Sequence, residues 1–295
     1  MRKNGQRLNT IDHIMIRGFF ILFIFMSSAY GSSREVVFGI TGVALKEDLI
    51  TMIQWSKYLQ KKSGVEVKLK FARSYSEIKS MIEMGSVDIA YICGATYVDM
   101  HANNMVKILA LPIFDAKPLY HSLIITRKNS SIKSLNDLKG KIFAFSDPNS
   151  NSGHIAPVYE MRKQNIFPKR DFKQFFFTYD HGESILSVLE GFSDGAAVDE
   201  LVYASFLIHH PKKSKELRIV AKLGPYPIPP IVYRIGVSRD VLAPVKNALF
   251  SMDQSKKGRK ILKALAIERF VPPTGHEDYS QIKKMMDSLQ EHSYE

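Results

Sequence analysis

The residues best suited to chemistry fall in one segment, Ser146-Asp-Pro-Asn-Ser-Asn-Ser-Gly-His154. It lies between a strand pattern at residues 141–145 and a helix pattern at residues 155–163. The first amides of a helix have no partner inside it, and the aligned peptide dipoles favour negative charge there. Ser150 and Ser152 add hydroxyl donors, Asn151 adds an amide, and Gly153 lets the main chain come close to a ligand. Together they could hold a tetrahedral oxyanion without a buried lysine or arginine. A plain Ser or Asn helix cap has the same composition and satisfies the same amides internally. The segment alone leaves both readings open.

The elements that must position this segment are legible as a sequence of short patterns. From Glu35 onward strand and helix signals alternate, which predicts an α/β architecture with mainly parallel sheets. Residues 36–40 read as a buried strand, 48–62 as a helix stopped by Gly64, and 65–71 as a half-buried strand with strict alternation. A helix at 76–84, a strand at 87–92, a helix at 95–101 and a strand at 106–111 closed by Pro112 follow. Phe114-Asp-Ala-Lys-Pro-Leu-Tyr-His121 has turn chemistry and reads as a first crossing into a second lobe. That lobe is predicted to hold strands at 141–145, 175–177 and 195–198 and helices at 134–140, 155–163 and 183–190. The stretch 217–221 with the proline-rich Gly224-Pro-Tyr-Pro-Ile-Pro-Pro230 reads as the return crossing, and helices near 244–252, 258–266 and 279–289 end the chain. The expected boundaries are residues 33–118 plus 222–295 for lobe I and 119–221 for lobe II. No internal repeat is present.

Bulk properties narrow the function classes. The chain has 295 residues, 45% apolar and 24% charged, which is the composition of a folded, water-facing protein. Residues 1–31 read separately, as a secretory signal peptide. Arg2, Lys3, Arg7 and Arg17 precede the apolar run Gly18-Phe-Phe-Ile-Leu-Phe-Ile-Phe-Met26, and small residues suited to cleavage follow. That run is far shorter than the roughly 20 residues of a spanning helix, which argues against an uncleaved anchor. No cysteine stands directly after it, which argues against a lipoprotein. The formal net charge is +12, and the chain stays basic without residues 1–31. Its lysines and arginines are spread over helix surfaces without a basic stripe interleaved with aromatics, so nucleic acid is not the expected partner. Cys93 is the only cysteine, which excludes an intramolecular disulfide and a cysteine metal cluster. It reads as a small buried apolar residue.

At Asp147-Pro-Asn-Ser-Asn-Ser-Gly153 the chain resembles the phosphate, phosphite and phosphonate substrate-binding proteins of ABC importers, whose typical loop reads Asp-Pro-x-Ser-x-Ser-Gly. The resemblance continues in register through Val87-Asp-Ile-Ala-Tyr-Ile-Cys-Gly94, Leu119-Tyr-His-Ser-Leu-Ile, Leu135-Asn-Asp-Leu-Lys-Gly140, His181-Gly-Glu-Ser184, Gly195-Ala-Ala-Val-Asp199 and Pro227-Ile-Pro-Pro-Ile-Val232. It implies a type II periplasmic-binding-protein fold, with two lobes of mostly parallel sheet that close on a ligand at the hinge. It further implies that Ser150, Asn151, Ser152 and Gly153 hold the oxyanion, that His181 donates to it from a second helix start, and that Tyr75 and Tyr120 line the site. A histidine at a helix start is disfavoured as a cation but still donates one N–H while neutral. One departure bears on specificity. Relatives that take aminoalkylphosphonates carry an acidic residue in the proline-rich crossing, where this chain has Pro229. The expected ligand is therefore phosphate, phosphite or a small alkylphosphonate.

The implied role is a periplasmic solute-binding protein, monomeric, delivering its ligand to a permease and ATPase and meeting the membrane only through them. No cofactor, metal or catalytic residue is expected. Two other classes stand beside it. A ligand sensor acting in trans on a membrane signalling partner would use the same cleft. An enzyme acting on phosphonates or phosphate esters would draw on His154, His181, Asp180 or Asp199, but no metal-ligand spacing, nucleophile elbow or nucleotide loop accompanies them.

Overall fold

The computed structural model describes residues 34–42 and 49–291. The predicted signal peptide at residues 1–31 lies outside them. The chain opens with β1 (Glu35–Ile40), α1 (Leu49–Ser63), β2 (Glu66–Phe71), α2 (Tyr75–Glu83), β3 (Ile89–Tyr91), α3 (Gly94–Ala102) and β4 (Val106–Ile113). It continues with β5 (Leu119–Arg127), β6 (Ile142–Phe145), α4 (Ala156–Lys163), α5 (Pro168–Asp171), β7 (Gln174–Phe177), α6 (His181–Glu190), β8 (Gly195–Asp199), α7 (Glu200–His209) and β9 (Leu217–Pro227). It ends with β10 (Ile231–Arg234), α8 (Arg239–Phe250), α9 (Lys256–Ala264), β11 (Arg269–Val271) and α10 (Ser280–Glu291).

Local chemistry explains several of these boundaries. In α1 the buried residues Met52, Trp55, Tyr58 and Leu59 repeat at helical spacing, and Gly64 follows with a positive φ of 69°, the left-handed conformation that glycine adopts without a Cβ clash. Helix α2 starts at Ser74, whose hydroxyl accepts from the Glu77 amide at 3.1 Å and so satisfies one of the helix's free donors. The strand at 106–111 runs past Pro112 to Ile113, because β11 pairs there with Phe270 opposite Pro112. The first sheet orders its strands β11-β4-β10-β3-β1-β2 and the second β7-β6-β8-β5-β9.

This is a two-lobed α/β fold, but strand direction is mixed in both sheets. Strand β1 pairs parallel with β2 and β3, and β6 pairs parallel with β7 and β8. The antiparallel partners are β10, β11, β5 and β9. The expectation of mostly parallel sheets missed this because it treated the crossing segments as connections. In fact β5 and β9 form a long ribbon, paired from Leu119 opposite Pro227 to Arg127 opposite Leu217. Two prolines of the return segment, Pro225 and Pro227, fall in β9, which among the described strands pairs only with β5. An edge strand tolerates their missing N–H groups.

The largest apolar cluster packs around Trp55 and Phe38 against the first sheet. Two smaller ones flank the second sheet, around Leu123, Val198 and Phe206 on one side and Phe143, Phe145 and Ile124 on the other. Tyr120, Tyr226, Ile155 and Leu201 come from the second-sheet part of the chain but pack into the first cluster, which joins the two halves. Among the described residues no helix is long and apolar enough to cross a membrane.

Candidate functional site

Strand β6 delivers the chain into Ser146 in the middle of the second sheet. The loop after it folds on its own side chains, since Asp147 Oδ1 accepts from the Asn149 amide at 2.8 Å and the Ser150 amide donates to the Asp147 carbonyl at 2.9 Å. Residues Asn151–Ile155 then form a π-type turn before α4 begins. The turn is wider than the helix start read from the sequence. Ser150 caps it by accepting from the Gly153 amide at 3.0 Å, and the Ile155 amide closes onto the Ser150 carbonyl at 2.9 Å. The Asn151 amide donates to Cys93 Sγ at 3.1 Å, across to the other half. The turn amides of Asn151, Gly153, His154 and Ile155, expected to be bare, are therefore already bonded within the protein. Gly153 is also required for a reason other than ligand approach. A Cβ there would collide with Ser146 Oγ and lie 2.9 Å from His181 Cε1.

Helix α6 starts beside this turn. Asp180 caps it, Oδ1 accepting from the Glu183 amide at 3.0 Å, and His181 occupies the first turn, buried. The Asp199 amide donates to His181 Nδ1 at 3.0 Å, so the ring proton is on Nε2. Nε2 lies 3.4 Å from both Ser146 Oγ and Ser150 Oγ. Burial holds the imidazole down to about 3. The ring is thus a neutral donor.

Asp199 ends β8 and caps α7, Oδ1 accepting from the Leu201 and Val202 amides at 2.8 and 3.3 Å. Its Oδ2 accepts from Ser152 Oγ at 3.4 Å, and burial pushes the carboxyl up to about 7. The next residue, Glu200, is treated differently. Its carboxylate takes His121 Nδ1 and Lys222 Nζ, each at 2.7 Å. Burial pushes Glu200 up, but the hydrogen bonds from Lys222 and His121 outweigh it and leave the group below its ordinary value.

The two tyrosines complete the ring. Tyr120, buried on β5, accepts from Asn151 Nδ2 at 3.0 Å. Tyr75, the first residue of α2, donates its amide to Asp147 Oδ2 at 3.0 Å. Its hydroxyl is buried and has no hydrogen-bond partner, as is true of Thr96 Oγ1 and Asn151 Oδ1. Burial, followed by the nearness of Cys93 and Asp147, raises the Tyr75 phenol well above its usual value, and Asp199 and Tyr120 add to this. A cavity of about 370 Å³ opens beside this ring, lined by Tyr75, Ser76, Lys79, Thr96, Asp99 and Asn149.

The structure brings Tyr75, Tyr120, Ser150, Asn151, Ser152, Gly153 and His181 into one buried cluster between the sheets. Sequence reasoning gave no site role to Ser146, Cys93 or Ser122, although all three lie in stretches it singled out; Ser122 donates to the Ser152 carbonyl at 2.6 Å. Thr96 was missed outright, and no local pattern sets it apart. Asp147 was visible in the motif, but its part in tying the two halves was not. Among the described residues no group of three His, Cys, Asp or Glu side chains is arranged to hold a metal ion.

The family described as the ABC transporter, phosphonate, periplasmic substrate-binding protein matches residues 38–279. The chain belongs to this family. The phosphonates-binding periplasmic protein of Escherichia coli K12 is 28% identical over 266 residues, which is 86% of this chain and 78% of that one. The fold is shared with a binding protein component of an ABC phosphonate transporter from Pseudomonas aeruginosa, at a TM-score of 0.80 and 24% identity, covering 88% of this chain and 87% of that one. It is also shared with a Prochlorococcus marinus protein solved in complex with methylphosphonate, at a TM-score of 0.76 and 22% identity, covering 88% and 99%. Family membership makes this chain a transport substrate-binding protein, and the relatives that carry the family's name are periplasmic.

Proposed function

We propose that this chain captures a small tetrahedral oxyanion, namely phosphate, phosphite or a small alkylphosphonate, between its two halves and delivers it to a membrane permease and its ATPase. One observation carries the ligand class. The cluster between the sheets is a set of buried neutral donors, Ser150, Ser152, His181 Nε2 and the unpartnered Tyr75 hydroxyl, and the residues that form it include no lysine or arginine. Such a set stabilises an anion through directed hydrogen bonds worth about 1.5–3 kcal/mol each when the acceptor is charged. It places no permanent cation in the protein interior.

The moving parts in this reading are residues 33–118 plus 222–295 as one lobe and residues 119–221 as the other. Only a ligand that contacts both can favour the closed form. Tyr75 from the first sheet's side and the Ser150–Ser152 turn from the second supply those contacts. Residues 1–31 serve as the export signal, and the mature protein acts as a periplasmic monomer. Pro229 is buried and supplies no carboxylate to an ammonium, so methylphosphonate, phosphite or phosphate is preferred over 2-aminoethylphosphonate. Calorimetric titration with these four ligands tests the proposal. Binding of one of the first three is expected, and tight binding of 2-aminoethylphosphonate alone would overturn the ligand assignment.

A further inference from the structure

Two consecutive carboxylates, Asp199 and Glu200, stand at the end of β8, and the chain pairs only the second with basic side chains. Glu200 has His121 and Lys222. Asp199 is 2% exposed and has backbone amides on Oδ1. On Oδ2 it has a single hydroxyl, Ser152 Oγ at 3.4 Å. Ser152 is also one of the groups assigned to the oxyanion, and a serine has one hydroxyl proton to give. Once Ser152 turns that proton to a bound anion, Asp199 Oδ2 is left without a donor. A ligand oxygen then lies next to it. Two negative oxygens in contact in a buried site are strongly disfavoured. A shared proton removes the conflict.

We propose, resting on the oxyanion reading above, that the bound complex holds one proton between Asp199 Oδ2 and a ligand oxygen. The site thereby recognises the hydrogen-bearing form of a phosphonate, phosphite or phosphate. A monoanion brings the proton with it, and a fully ionised ligand takes one from water on binding. In both cases the same O–H···O pair results, and no other bond is made or broken. The donor set leaves this position to Asp199. His181 cannot accept the proton at Nδ1, because that nitrogen already takes the Asp199 amide, and its Nε2 carries the donor hydrogen.

The groups facing Asp199 leave it as the one that exchanges a proton near neutrality. From α2, β3 and β5 come Tyr75, Tyr91 and Tyr120, all raised by burial. At the start of α3 stands Cys93, pushed up to about 11 by burial. From α6 comes His181, held down to about 3 by burial. On its own helix Glu200 is held below its ordinary value by its hydrogen bonds with Lys222 and His121. Burial raises Asp199 itself to about 7.

The test counts protons. Methylphosphonate is titrated calorimetrically into the full mature protein in two buffers of different ionisation enthalpy, from about pH 7 to about pH 9. Above the ligand's second ionisation, uptake of close to one proton per site is expected, with affinity falling about tenfold per pH unit. In Asp199→Asn, whose amide oxygen still caps α7, uptake should drop to near zero and the affinity should become nearly independent of pH. Ser152→Ala keeps the carboxyl and should keep the uptake while binding more weakly. Should Asp199→Asn fail to fold, the wild-type proton count and Ser152→Ala still decide.

Binding by the wild type without proton uptake would overturn the inference and leave the oxyanion reading intact. So would uptake that persists in Asp199→Asn, which would move the proton to another acceptor such as Asn151 Oδ1. A preference of 100-fold or more for 2-aminoethylphosphonate that Asp199→Asn removes would also overturn it, by assigning the carboxylate to an ammonium. If the wild type binds none of the three oxyanions, both proposals fall together.

Discussion

The two walls of the cleft are built differently. On the second sheet's side, Ser150, Asn151, Ser152, His181, Asp199 and Tyr120 are already bonded to one another, through contacts that run from the turn to α6 and on to α7. On the first sheet's side, Tyr75 and Thr96 present buried hydroxyls with no partner. One wall holds its donors in place through contacts within the protein, with Asn151 Oδ1 alone left unpaired, and the other presents hydroxyls that have no such contacts. A prearranged set of dipoles loses little on binding, whereas unpartnered buried hydroxyls favour whichever state satisfies them. The division of labour suggests that affinity comes mainly from the second wall and the drive to close from the first.

The strongest way to break this comparison is Ser152→Ala combined with His181→Ala. Losing two donors to a charged group should cost about 3–6 kcal/mol, a fall in oxyanion affinity on the order of 10²–10⁴-fold. Calorimetry would measure it, with circular dichroism confirming an unchanged fold. Binding near the wild-type level would place the anion on the other wall. Next comes Gly153→Ala. The added methyl meets Ser146 and His181, so the second wall must shift, and urea melts should show a loss of about 1–3 kcal/mol along with weakened binding.

A third experiment uses pH on the ligand-free protein. Burial raises Asp199 from 3.8 to about 7, so between those values the folded state holds more protons than the unfolded chain, and stability falls as pH rises. Burial lowers His181 from 6.5 to about 3, so across that range the unfolded chain holds more, and stability rises with pH. The two slopes oppose each other where they overlap, between 3.8 and 6.5. Asp199→Asn should therefore add a rising slope to the wild-type profile, and His181→Asn a falling one, each on the order of 1 kcal/mol per pH unit. Parallel profiles for all three proteins would show that the pair does not titrate as described. The smallest effect is expected from the first wall. Tyr75→Phe should weaken binding about tenfold, or about 1.4 kcal/mol, while leaving the thermal midpoint of the ligand-free protein unchanged or slightly raised, since the hydroxyl it removes is unsatisfied there. A lowered midpoint with unaltered affinity would make Tyr75 structural.

The same contrast explains what could be read from the sequence. The second wall was largely legible, because its donors sit at fixed spacing in Asp147-Pro-Asn-Ser-Asn-Ser-Gly153, while His181 came through the family resemblance and the Asp180 cap that positions it was not read. The first wall was not. Thr96 and Cys93 reach the site only because parallel pairing of β1 and β3 sets α3 beside the π-type turn, and nothing within a few residues of either announces that. The α/β alternation was plain from helix and strand periods, but strand direction was not. Whether β5 and β9 run with or against their neighbours depends on where the chain changes sheets, and periodicity carries no information on that. The π-type turn was invisible for a related reason. It depends on Gly153 packing against Ser146 and also against His181, which comes from a separate segment of the chain.

Cys93 accepts the Asn151 amide at the seam between the walls, it is buried, and it is the chain's single cysteine. With its thiol pushed up to about 11 by burial, it is nearly inert while the seam is shut and regains ordinary reactivity once the walls part. On the proposed two-lobed reading, the rate at which an aromatic disulfide reagent modifies this one sulfur is expected to act as a built-in clock for the opening of the protein, requiring no engineered label and falling as the closed fraction grows.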